Sequence, residues 1–119
     1  MGKWNSNKGF CNLIVWQDAI ELYVLTCKIL TKQPFELKKT MGNCIDASQS
    51  ISRNIAEGYG RKSTKEYLVF LNYSLGSSSE YFSSIYSFNK ANQLSENEFE
   101  ELNNLHYKVE NGLINLIKS

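Results

Sequence analysis

Ser50-Ile51-Ser52-Arg53-Asn54-Ile55-Ala56-Glu57-Gly58-Tyr59-Gly60-Arg61-Lys62-Ser63 reads as the last turns of one helix, a glycine corner, and the cap of the next helix. Gly58 is expected to stop the first of these helices in the left-handed conformation, which lacks a steric cost when there is no Cβ. Ser63-Thr64-Lys65-Glu66 has the form of a capping box, with Ser at N-cap and Glu at N3. Glu57 disobeys the local rules. It sets a negative charge at the carboxyl end of a helix, where the macrodipole is already negative. Such a charge needs a cationic partner, and Arg61, Lys62 and Lys65 lie just beyond it.

Downstream of the corner the periodicity predicts a long helix over about Ser63 to Asn92. Tyr67, Phe70, Leu71, Leu75, Tyr81, Phe82, Ile85 and Phe88 mark its broad aromatic face. Gly76-Ser77-Ser78-Ser79 has poor helix propensity but lies between strongly periodic halves, so it reads as helix thinned for a close neighbour. Ser95-Glu96-Asn97-Glu98 is a second capping box, opening a helix to about Ile117 on the stripe Phe99, Leu102, Leu105, Val109, Leu113 and Leu116. Upstream, Phe35 to Glu57 carries Leu37, Met41, Cys44, Ile45, Ser48, Ile51, Ser52 and Ile55 at helical spacing. Pro34 suits its first turn. Gly42 inside this helix costs about 1 kcal/mol relative to Ala. Lys38 and Lys39 near its start oppose the dipole, so they do not serve helix stability. The first helix runs from about Leu13 to Thr31, with a core stripe Trp16, Ala19, Ile20, Tyr23, Cys27 and Leu30. A second apolar stripe of Leu22, Leu25 and Ile29 lies beside it.

Four helices on three short connections form an all-α, up-down-up-down four-helix bundle over residues 13–119. A polar arm, residues 1–12, precedes it, with Trp4 and Phe10 as its large apolar groups, either of which could dock on the bundle. Its first residues, Met1-Gly2-Lys3-Trp4-Asn5-Ser6, match a myristoylation pattern short enough to arise by chance. In the bundle the corner shares one end with Trp16, Gln17 and Lys118. Glu80, about 25 Å away along its helix, stands level with His106 and Lys108 and would pair with one of them if it faced inward.

At 119 residues the chain holds one core. It has no apolar run of the ~20 residues a membrane span needs and no basic-then-apolar start of a secretory signal, so a cytoplasmic protein is expected. Cys11, Cys27 and Cys44 lack metal-type spacing and read as reduced thiols. His106 is the one histidine, and on a helix beside Leu105 and Val109 it reads as a core or boundary residue. No nucleophile has a base at a recognisable spacing, and no cluster has metal-ligand form, so no catalytic residues, metal or cofactor are expected. Gly58-Tyr59-Gly60 follows no strand and is neither a dinucleotide nor a P-loop motif.

Charge is unevenly divided. From Lys28 to Lys65 eight basic residues face three acidic ones, a balance of +5; from Glu66 to Glu110 two face seven, a balance of −5. The net +1 thus conceals a basic half and an acidic half. Phosphate attraction to the basic side, head-to-tail contact between copies, and plain solvated faces are each consistent with this division. For phosphate, the candidate contacts are Arg53, Arg61, Lys62 and Lys65, with Tyr59 on the corner as the residue to stack on a base.

Asn12-Leu13-Ile14-Val15-Trp16-Gln17, Ser52-Arg53-Asn54-Ile55-Ala56-Glu57-Gly58-x-x-Arg61, and Ser63-x-Lys65-Glu66-Tyr67-x-x-Phe70-Leu71 with Gly76-Ser77 and Glu80 resemble a bacterial family, the 23S ribosomal RNA intervening-sequence proteins. The resemblance runs from Asn12 to Ile117, and its specific part is Asn-Ile-Ala-Glu-Gly-x-x-Arg. Where the family often has Ser-Ile-Pro-x-Asn, this chain has Ser52 in place of the proline. The resemblance implies a cytoplasmic bundle that assembles as a homo-oligomer, with pentameric rings as the known form. The function expected of the chain is that of a non-enzymatic, oligomeric binding module with RNA or a nucleic-acid-associated protein as partner, or else of a purely structural assembly protein. The motif residues the resemblance carries over are Asn54, Glu57, Gly58, Arg61, Glu66 and Glu80.

Overall fold

The structure, a computed structural model, describes residues 6–119; Trp4 and the Met1–Asn5 part of the myristoylation pattern lie outside the described residues. A 3-10 segment, Ser6–Asn12, leads into α1 (Ile14–Leu30). A 3-10 turn, Phe35–Leu37, then opens α2 (Lys38–Tyr59), and α3 (Thr64–Lys90) and α4 (Glu96–Lys118) follow. Both α1 and α3 pack on α2 and α4, while the diagonal pairs make no comparable contact. This is the four-cornered, up-down-up-down bundle that the periodicity predicts. Its long extent of 44 Å is set by the 27 residues of α3, which at 1.5 Å each rise about 40 Å.

The helix ends follow local chemistry. At α4 the capping box closes: Ser95 Oγ accepts from the Glu98 amide at 3.1 Å, and Glu98 Oε1 accepts from the Ser95 amide at 2.9 Å. At α3 only half of the box forms. Ser63 Oγ accepts from the Glu66 amide at 3.1 Å, but Glu66 stays in solvent and does not reach back. Asn92 ends α3 with φ 61°, the one positive φ among the described residues. There the Gln93 amide donates to the Phe88 carbonyl at 2.8 Å and the Asn92 amide to Asn89 at 3.1 Å, the pattern of a Schellman turn.

The expectation for Gly58 is corrected. It is not left-handed: α2 continues through it to Tyr59, and Gly60 follows with φ −77°. Gly58 is needed for closeness instead. A Cβ there would fall 2.7 Å from Phe70 Cβ, 3.0 Å from a Tyr67 ring carbon and 3.2 Å from the Tyr67 carbonyl. The corner is therefore tight because α3 lies directly on the last turn of α2. Nothing lies within 4 Å of a Cβ on Gly42 or Gly76, so neither glycine serves a helix crossing. The serines bring α2 and α3 together: Ser74 Oγ donates to the Ile51 carbonyl, and Ser50 and Ser77 hydroxyls meet at 2.8 Å. At Ser52 the helix runs on unbroken, with Oγ donating to the Gln49 carbonyl at 3.1 Å.

The core contains Leu22, Ile29 and Leu30 of α1, Met41, Cys44, Ile51 and Ile55 of α2, Leu71, Tyr81, Ile85 and Phe88 of α3, and Leu102, Val109 and Leu113 of α4. On α1 this rotates the expected stripe. Trp16, Ile20, Tyr23 and Cys27 are half-buried, and the second stripe, with Ala19 and Thr26, takes the centre. Two polar residues made that rotation hard to read. Thr26 donates to the Leu22 carbonyl at 2.6 Å and takes the Tyr81 hydroxyl proton at 2.7 Å, so its burial leaves no group unmatched. Asp18, nearly buried, meets Lys108 Nζ of α4 at 3.4 Å. Burial pushes the Cys44 thiol up to about 12, which keeps it protonated and unreactive.

Candidate nucleic-acid interface

The α2–α3 corner gathers most of the residues that the sequence singles out. Glu57 finds its cation in Arg61, whose Nη2 donates to Glu57 Oε1 at 2.7 Å across one helical turn. The Arg61 amide also donates to the Gly58 carbonyl at 3.0 Å, and its guanidinium centre stands 4.7 Å from the Phe70 ring centroid. Arg61 is thus fixed by an ion pair and a cation–π contact. Both partners of the ion pair are well exposed, so it contributes only about 0–1 kcal/mol.

The remaining cations are less constrained. Arg53 is exposed, one turn back on α2, and Nη1 donates to Gln49 Oε1 at 3.1 Å. Lys62 and Lys65 are exposed and, among the described residues, neither meets an acid within 4 Å. The four basic residues therefore share one end of the bundle, with Lys62 and Lys65 best placed to meet an incoming anion.

Tyr59 is more enclosed than the sequence suggests. Its ring keeps 37% exposure, but it packs edge-to-face on Phe10 (6.2 Å) and on Tyr67 (6.1 Å). Its hydroxyl lies where a Cβ on Gly9 would fall, 2.5 Å away. Phe10 also stands edge-on to Trp16 at 5.3 Å, and Gln17 Nε2 donates to the Cys11 carbonyl at 2.9 Å. The Gly9–Cys11 stretch before α1 is thus tied down over the corner, with Phe10 as a docking group. Burial, and then the neighbouring Tyr59, raise the Tyr67 hydroxyl above its ordinary value, so it stays protonated.

The other motif residues divide into ties and surface groups. Asn54 Nδ2 donates to the Ser50 carbonyl at 2.8 Å and to Ser50 Oγ at 3.0 Å, holding the serine that bonds Ser77 of α3. Glu66 is exposed, and so is Glu80. Glu80 does stand at the level of His106, but it faces outward, and the expected pairing is corrected. His106 Nε2 lies 2.9 Å from Ser78 Oγ, 3.1 Å from the Ser78 carbonyl and 3.7 Å from Glu110 Oε2. Lys108 instead pairs with Asp18. Sequence counting gave the height along the helix; the rotation about its axis depends on which face meets α2.

One aromatic group escaped the sequence reading. Tyr73 is 57% exposed, and it stands edge-to-face with Phe70 at 5.4 Å between centroids. The available signal was its spacing, since Lys65, Val69 and Tyr73 recur every fourth residue and fall on one line of the helix. No helix of the described residues is long and apolar enough to cross a membrane, and none of their His, Cys, Asp and Glu side chains gather in threes that could hold a metal ion.

The architecture defines a four-helix-bundle protein whose corner carries an Asn-x-x-Glu-Gly-x-x-Arg motif. Residues 11–115 match the family model described as 23S rRNA-intervening sequence protein, and the chain belongs to that family. Among solved structures it is similar to a protein of unknown function from the S23 ribosomal protein family of Bacteroides thetaiotaomicron VPI-5482. The TM-score is 0.83 at 20% identity, over 89% of this chain and 96% of that one. At that identity the likeness shows the fold. No curated protein matches the chain.

Proposed function

We propose that this protein is a cytoplasmic, non-enzymatic binding module that works as a homo-oligomer, with a pentameric ring as the expected form. Its partner in this reading is RNA or a nucleic-acid-associated protein, held at the α2–α3 corner. The observation that carries the reading is the pair Lys62 and Lys65, exposed beside Arg53 and Arg61 with no acid within 4 Å among the described residues. The ribosomal-RNA description of the family supports it. Phosphate contacts by such lysines release counterions, so binding weakens as salt rises, by about 0.7 in log–log slope per single-strand phosphate neutralised. Lys62→Ala/Lys65→Ala should therefore weaken RNA binding and flatten the slope by about 1.4. Fluorescence anisotropy titrated with salt reads both. An unchanged slope would remove the corner from the site. Arg61→Ala is the poorer probe, because it also breaks the Glu57 pair and uncovers Phe70.

A second reading has its own support. Phe35 is 81% exposed and Ile14 71%, apolar groups that contact between copies would bury. In this reading the protein is a structural assembly whose apolar faces and divided charge join copies to one another. It expects a multimer by light scattering and no affinity for RNA at moderate salt. A monomer at micromolar concentration would count against both readings.

A further inference from the structure

Resting on the RNA reading above, we infer that the corner takes single-stranded RNA, with a base stacked on Tyr73 while Lys62 and Lys65 hold the flanking phosphates. Three observations lead there. First, Tyr59, three residues before Lys62, already has Phe10, Tyr67 and the Gly9 backbone around it, so it offers little open ring face. Second, the ring of Tyr73 is 57% exposed and is steadied by the edge-to-face contact with Phe70. Phe70 is itself held under Arg61 at 4.7 Å. Guanidinium, half-buried ring and exposed ring thus form a supported series running outward from the corner. Third, Lys65, Val69 and Tyr73 lie on one line of α3, and eight residues at 1.5 Å place the ring about 12 Å along the axis from Lys65. Val69, 42% exposed between them, makes the intervening surface apolar.

This arrangement discriminates between forms of RNA. A duplex keeps its bases stacked on one another and presents phosphates and 2′-hydroxyls, which lysines can meet but a tyrosine face cannot use. A single strand offers unstacked bases, and stacking on an aromatic side chain is tolerant of sequence because every base has a π face. Glu66 on the neighbouring turn is exposed and opposes dense negative charge. That again suits one strand better than two.

The test uses the full chain and two labelled probes: an oligouridine of about ten nucleotides, within the ~4–16 nucleotide range of single-strand sites, and a blunt RNA duplex of equal length. Single-strand binding should be the tighter. Tyr73→Ala should weaken it about ten-fold, the scale of losing one stacked base, and leave duplex binding unchanged. Tyr73→Phe should restore it, because the ring face remains. Tyr107→Ala, a 62% exposed tyrosine on the acidic α4, is the control expected to change nothing. Circular dichroism and sedimentation of Tyr73→Ala accompany the titration. Salt-dependent binding that is equal for both probes and indifferent to Tyr73→Ala would overturn the inference while leaving the basic corner standing. An altered sedimentation mass in Tyr73→Ala would assign the ring to contact between copies and overturn it as well. No binding of either probe at low salt would overturn both the inference and the reading beneath it.

Discussion

Gly58→Ala lowers the stability of this protein, and Gly42→Ala raises it, although both glycines sit inside the same helix. On helix propensity alone each substitution should gain about 1 kcal/mol. At Gly42 nothing lies within 4 Å of the added methyl group, so that gain should appear nearly whole. At Gly58 the methyl group meets Phe70 Cβ at 2.7 Å and the Tyr67 carbonyl at 3.2 Å. Neither atom is the far end of a flexible side chain, so relief requires α3 to move off the last turn of α2. Overpacking of this kind costs about 1–3 kcal/mol. With rigid neighbours on two sides the upper half of that range applies, leaving a net loss of about 1–2 kcal/mol. The two variants should thus separate by about 2–3 kcal/mol in urea midpoints at equal m-value. Gly58→Ala as stable as the parent would mean that the corner has slack, and that the glycine is there for another reason.

The Gly58 contrast also shows where sequence reasoning stops. A glycine at the end of an apolar pattern has two explanations, a positive φ or a close approach, and the chain alone favours the first. Asn92, whose residue type is a weaker signal, is the position that actually takes positive φ. Helix number, order and ends were legible because they depend on neighbours three or four residues away: Ser95 with Glu98, or Pro34 before α2. Rotation was not. Thr26 and Asp18 look like surface residues until Tyr81 and Lys108, from other helices, are seen to satisfy them. The site divides in the same way. The Glu57–Arg61 pair is one helical turn long and was readable. The enclosure of Tyr59 by Phe10 and the prominence of Tyr73 depend on how the N-terminal segment and α3 fold over the corner. The family resemblance located the motif but not the division of labour within it, in which Asn54 holds the Ser50 hydroxyl that meets Ser77 of α3 and Glu80 faces solvent.

His106→Ala should destabilise the bundle by about 2–5 kcal/mol, the range for removing a large buried side chain, and stability should depend on this residue's charge. The ring is 4% exposed and stacks near Tyr81 (5.9 Å) and Phe82 (5.5 Å). Nε2 faces both the carbonyl and the hydroxyl of Ser78, while Nδ1 is buried with no partner. The neutral form with its proton on Nε2 suits these surroundings, because the N–H then has acceptors and only a lone pair goes unmatched. Protonation would place an unpaired N–H at Nδ1 and a charge in the core. Glu110, 3.7 Å from Nε2, pulls the other way. Burial outweighs it, and the folded-state pKa lies below the ordinary 6.5. Above 6.5 histidine is neutral in both folded and unfolded chains, and its contribution is constant. As pH falls below 6.5 the unfolded chain takes up a proton that the folded chain resists, so stability declines until the folded pKa is passed. Urea midpoints measured from pH 8 to pH 5 should show this decline. His106→Phe fills the same space without titrating, and it should remove the part of the slope that lies just below 6.5. A His106→Phe profile parallel to the parent's would rule this ring out as the source of the acid sensitivity. It would also leave the buried ring a role in packing alone.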